Sequence, residues 1–134
     1  MPHCVILYTP NIESKTDVSA LCRKLADSML TVLDEGGKQV FPTGGTRVLA
    51  YPAAHYAVAD GKGDYAFMYV NVRMGAGRSE AVKKRAGDQL MDVVKQHCAP
   101  FFEQSLIGIT LQIDESPGQV YDGKHSTLHP LFNK

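Results

Sequence analysis

The chain has no tryptophan, only three cysteines and no excess of either charge. Fourteen basic residues balance fourteen acidic ones, so nothing suggests a general nucleic-acid or acidic-membrane surface, and any anion site must be local. Cys4, Cys22 and Cys98 are odd in number and lack the spacing of a metal site. They read as small core residues of a reduced, cytoplasmic protein. No apolar run approaches the ~20 residues that cross a bilayer. The amino end lacks a basic region followed by an apolar stretch, so no signal peptide is expected. What is present, 134 residues of which 44% are hydrophobic and 21% charged, suits one globular domain with one core.

The amino end is the informative stretch. Pro2 follows the initiator methionine, and small second residues permit its removal. The freed nitrogen is then a secondary amine, a base on the main chain itself. With Met1 attached it is a tertiary amide without useful basicity. Cys4 to Tyr8 is apolar and β-prone, a buried strand that would hold that nitrogen still.

Further along, Thr9-Pro10-Asn11 opens a loop and Asp17 can cap a helix whose stripe is Val18, Leu21, Cys22, Leu25, Met29, Val32 and Leu33. Gly36-Gly37 is expected to end it. Residues 47–51 open a second strand that Pro52 ends or confines to an edge, with 55–59 as a possible continuation after a bend. Asp60-Gly61-Lys62-Gly63 is a tight-turn signal, and residues 64–74 alternate as a third strand. Ser79 can cap a second helix carrying Val82, Ala86, Leu90, Val93, Val94 and Cys98, expected to end or bend near Ala99 because of Pro100. Residues 106–113 form a fourth strand, and the tail is loop or short structure.

The order is strand, helix, strand, twice over, which makes two βαβ units spanning about residues 1–60 and 61–134. The expected fold is α+β, a four-stranded mixed sheet with two helices on one face. Its other face is left uncovered, which predicts burial against further copies of the chain.

Two arginines stand where glycine-rich turns enter regular structure. Arg47 begins the second strand, and Arg78 precedes the second helix, near an amino end that attracts anions. A guanidinium binds a carboxylate bidentately and stays charged while doing so. Taken singly, each is as readily a surface arginine in a weak ion pair. Gly75-x-Gly77 lacks the rest of a dinucleotide or phosphate-loop motif, so no nucleotide cofactor is expected. His125 and His129 are four apart, without an evident helix or a third ligand, so no metal site is expected. Tyr51, Tyr65, Phe67 and Tyr69 read as core or interface residues.

Several features recur together in order: Pro2-His3, Phe41-Pro42 with Arg47 six positions beyond Phe41, Ala59-Asp60-Gly61, Asp64-Tyr65-Ala66-Phe67, and Gly75-Ala76-Gly77-Arg78-Ser79. On the doubled βαβ pattern, nearly the whole chain resembles the 5-carboxymethyl-2-hydroxymuconate isomerase family. That family lies in the tautomerase superfamily with 4-oxalocrotonate tautomerase and macrophage migration inhibitory factor.

The resemblance implies a homotrimer and a cofactor-independent proton transfer, with Pro2 as base and Arg47 and Arg78 handling a small carboxylate substrate. The connection 34–39 looks longer than the family pattern, and a tryptophan expected near Tyr51 is missing. Two other readings stay open. One is action as a tautomerase, hydratase or decarboxylase on another enol acid. The other is a non-catalytic trimeric binding module.

Overall fold

The computed structural model of the chain describes residues 3–132. Four strands, β1 (His3–Tyr8), β2 (Val48–Pro52), β3 (Tyr65–Gly75) and β4 (Leu106–Ser116), form one mixed sheet in the order β2-β1-β3-β4. β1 and β2 are parallel, β3 and β4 are parallel, and the two pairs join through the antiparallel β1–β3 contact. Helix α1 (Val18–Met29) crosses between β1 and β2, α2 (Glu80–Phe102) crosses between β3 and β4, and a short α3 (Leu128–Phe132) closes the described chain. The two βαβ units and the mixed sheet are those expected, and the order of the strands within the sheet is what the structure adds.

The helices form because their apolar residues share a stripe and their first turns are capped. Asp17 accepts the Ala20 amide at 3.1 Å, and Ser79 accepts the Val82 amide at 3.2 Å. Leu21, Leu25 and Met29 of α1 and Val82, Ala86, Leu90, Val94 and Cys98 of α2 pack on the inner face of the sheet, where Cys4, Ile6, Met68, Val70 and Val72 are buried. Each large side chain there contributes about 1.5–3 kcal/mol by leaving water. Burial also raises the cysteine thiols, Cys4 to about 12 with Cys22 as a second cause, which suits packing residues rather than nucleophiles.

Three local expectations are corrected. Helix α1 stops at Met29 rather than at Gly36-Gly37. Thr31 turns its hydroxyl onto the Ser28 carbonyl at 2.7 Å, and Leu33 bridges to Gln39 around a tight turn in which Gly37 takes φ +81°. Helix α2 runs through Pro100 to Phe102, since the proline lies on an exposed side of the last turn, where it removes one backbone bond near the helix end. Residues 55–59 are not strand, and β2 ends at Pro52 on the sheet edge.

The outer face is open. Leu7, Leu49, Tyr51, Phe67 and Leu106 all project from it and are exposed. Single exposed apolar residues are ordinary; five on one pleated surface form a patch that asks for a partner. Among the described residues, no helix is long and apolar enough to cross a membrane.

His97 ties the two helices together. Its Nδ1 lies 3.0 Å from the Lys24 ammonium, which can only donate, so Nε2 carries the proton toward the Asp17 carbonyl at 3.0 Å and the Thr16 hydroxyl at 2.7 Å. Burial, then the Lys24 charge, lowers its pKa below the ordinary 6.5 despite the Asp17 bond. The unfolded chain therefore binds this proton more readily than the folded one. The tie's stabilisation is complete above pH 6.5 and is lost as pH falls from there through the lower folded value. Thermal melting between pH 8 and 5 is expected to show a steeper loss in the wild type than in His97→Gln, whose amide does not titrate. Equal slopes would show that His97 does not carry this dependence.

Candidate active site

Three strand ends meet at one end of the sheet. β1 begins there, β2 runs parallel and begins there too, and β3 runs the other way and ends there. The Cys4 amide donates to the Arg47 carbonyl at 2.9 Å, which fixes the entry of β2 beside the first turn of chain. On the opposite flank His3 pairs with Arg73, two residues before β3 ends at Gly75. With strands ~4.8 Å apart, β2 and β3 straddle the start of β1 at a separation of ~10 Å. Pro2 lies outside the described residues.

Arg47 is held by a 3-10 turn, Thr43–Gly45, that follows Phe41, a fully buried residue anchoring the connection in the core. Its guanidinium donates to the Gly45 carbonyl at 3.2 Å. Arg78 is set by Gly77, whose φ of +111° turns the chain sharply out of β3 at little cost only for glycine. The half-buried Arg78 donates to the Val40 carbonyl at 3.4 Å, while its buried Nε–H has no acceptor among the described residues. A buried cationic donor left in this way costs about 1–3 kcal/mol, and an acidic ligand would satisfy it.

The long connection that the sequence singled out packs next to Arg78. Asp34 closes it by accepting the Gly36 and Lys38 amides, both at 2.9 Å. Ser79 donates to Glu35 at 2.5 Å, lowering the Glu35 pKa, and Arg85 donates to the Leu33 carbonyl. Residues 34–39 thus form a rim at the amino end of α2.

Sequence reasoning passed over the groove on which Arg47 opens. It is about 540 Å³, within the ~300–1,000 Å³ that small ligands occupy. Arg23 of α1 and Leu128 and Phe132 of α3 line it with Arg47. Helical periodicity only marked Arg23 as solvent-facing, and no pattern in the tail announced that α3 folds back. A larger groove of about 810 Å³ lies at the far end of the sheet, between Leu7, Ala53, Phe67 and Leu106. Its lining carries no charged residue, so it does not suit an acid and is continuous with the open face instead. His129 sits in α3 with Nδ1 2.8 Å from the Ser126 hydroxyl, and among the described residues no three His, Cys, Asp or Glu side chains gather as metal ligands.

Known proteins share this fold. The family model described as 5-carboxymethyl-2-hydroxymuconate isomerase matches residues 2–132. A solved structure of a 5-carboxymethyl-2-hydroxymuconate delta-isomerase is 54% identical, covers 100% of this chain and 94% of its own, and superposes with a TM-score of 0.94. The 5-carboxymethyl-2-hydroxymuconate Delta-isomerase of Escherichia coli is 28% identical over 98% of this chain and 99% of its own length. At 16% identity, an asymmetric trimer of fused 4-OT shares the fold, with 96% of this chain and 98% of that one covered and a TM-score of 0.62. The chain belongs to the 5-carboxymethyl-2-hydroxymuconate isomerase family.

Proposed function

We propose that this chain isomerises 5-carboxymethyl-2-hydroxymuconate, or a close unsaturated 2-hydroxy acid with several carboxylates, using the Pro2 nitrogen as the base. The observation that supports the reading is that Arg47, at the entry of β2, and Arg78, three residues beyond the end of β3, adjoin the two strands that flank the start of β1. Family membership supplies the substrate class.

The chemistry follows from charge. The neutral imino nitrogen takes the proton of the 2-hydroxyl, leaving a dienolate. A proton returned to the far carbon of the conjugated chain gives the conjugated ketone, with no change of oxidation level. An α-amino group titrates near ~8 in model peptides. Two guanidiniums nearby disfavour its charged form and push that value down, toward the pH at which a base of this kind works best. The same cations bind the carboxylates and stabilise the dienolate as its charge develops.

The open face and its groove support a homotrimer. Leu7, Leu49, Tyr51, Phe67 and Leu106 would be covered by neighbouring copies. An odd count of cysteines, all three free, supports a reducing, cytoplasmic setting. Processed protein, beginning at Pro2 and sedimenting as three chains, is expected to convert the dienol absorbance of 5-carboxymethyl-2-hydroxymuconate to that of the conjugated ketone. Failure to do so with correctly processed trimer would sink the reading.

A further inference from the structure

Helix α3 is seated on the turn that delivers Arg47. A Cβ built on Gly44 would stand 3.2 Å from the His129 Cα and 3.5 Å from the Leu128 carbonyl oxygen, so the two backbones touch where any larger residue would part them. Local bonds specify the helix, since the Ser126 hydroxyl accepts the Leu128 amide at 3.0 Å and the His129 amide at 3.2 Å. The result is a groove with three walls. Arg23 comes from α1 and Leu30 from its C-cap, Thr43 from the turn and Arg47 from just beyond it, and Leu128 and Phe132 from α3.

These walls suit one kind of occupant. Arg47 supplies one cation, Leu30, Leu128 and Phe132 supply apolar surface, and Arg23 supplies a second cation on α1. Arg23 is bound to Asp27 at 2.8 Å, but with the two side chains 67% and 65% exposed. Such a pair is worth about 0–1 kcal/mol and is easily exchanged for another carboxylate. A hydrocarbon arm ending in a carboxylate matches this mix of surfaces; a purely apolar molecule would leave two guanidiniums beside it.

We propose that α3 is the specificity wall of the site: the groove takes the carboxylated side arm of the substrate, with Phe132 and Leu128 against its carbons and Arg23 at its acid end. The proposal rests on the isomerase reading above and adds residues that do not touch the reacting atoms. Selectivity for branched over unbranched acids would then reside in the last turn of the described chain rather than around the base.

The test compares 5-carboxymethyl-2-hydroxymuconate with 2-hydroxymuconate, which lacks the side arm, by ultraviolet absorbance. Phe132→Ala and Arg23→Gln are each expected to raise KM for the branched acid about tenfold, the scale of one lost side-chain contact. kcat should stay within about twofold, and KM for the unbranched acid should change by less than about twofold. Phe132 is 50% exposed and Leu128 58% exposed, so neither change removes core packing, and melting temperature should hold. Equal KM changes for both acids, or none for either, would overturn the proposal. Inactivity of the wild type toward both acids is a different result. It is seen before any variant is compared, and it removes the isomerase reading together with this one.

Discussion

Protein that keeps Met1 ahead of Pro2 is expected to convert no dienol above the uncatalysed rate, while the same chain starting at Pro2 is fully active. The effect should be the largest of any single change. An amide nitrogen has no available lone pair at neutral pH, and loss of a positioned base alone removes about 10²–10⁴-fold. Because the start of β1 is fixed by the Cys4–Arg47 backbone bond and by pairing with β3, an added methionine should leave the fold and its melting temperature unchanged. Pro2→Ala is the subtler companion, since a primary amine remains. It should retain a fraction of the activity, with its pH profile displaced. Intact mass and absorbance on the same sample decide the matter. Activity in a preparation whose every chain carries Met1 would show that the base lies elsewhere.

The second large effect concerns the two cations. Arg47→Ala and Arg78→Ala are each expected to lower kcat/KM by about 10²-fold or more, the usual cost of removing one donor that faces developing charge. The two should differ in character. Arg47 is exposed and its side chain donates to one local carbonyl, so its loss should leave stability within about 0.5 kcal/mol. Arg78 is half-buried, with one N–H on Val40 and Nε enclosed, and removing it also relieves an unsatisfied buried donor. Its variant should lose activity while keeping or gaining stability. Lysine at either position should restore only part of the activity, since an ammonium cannot present the planar pair of donors. Full activity in both alanine variants would dismantle the mechanism.

Much of the fold could be read in the residues because local signals and packing agree. Ser79 before a helical stripe, Asp17 before another and the alternation over residues 64–74 each point to one element, and each element is there. Legibility failed where a short-range preference yields to tertiary contacts. Pro100 suggested an end to α2, yet Phe101 just beyond it is buried and holds the final turn on the core. Val32 continued the stripe of α1 in spacing, but it is buried from a turn rather than from a helix.

The same distinction applies to the site. Arg47 and Arg78 were visible because glycine turns precede both. That they flank one strand end follows from sheet order, which no single stretch of sequence contains. Leu128 and Phe132 gave no signal at all, since a five-residue helix has too few turns to show a period. The connection 34–39 stood out in the sequence, whereas its place as a rim beside α2 depends on the Ser79–Glu35 bond.

The antiparallel join between β1 and β3 has a consequence for stoichiometry. It relates the two βαβ units by an approximate half-turn, so the counterpart of the strand that starts at His3 is the strand that starts at Tyr65, at the opposite end of the sheet. That second origin lies in mid-chain, where Asp64 precedes it and a free amine is impossible. If Pro2 is the base, as proposed, duplication of the architecture did not duplicate it, and a three-chain assembly would hold three equivalents of base, not six.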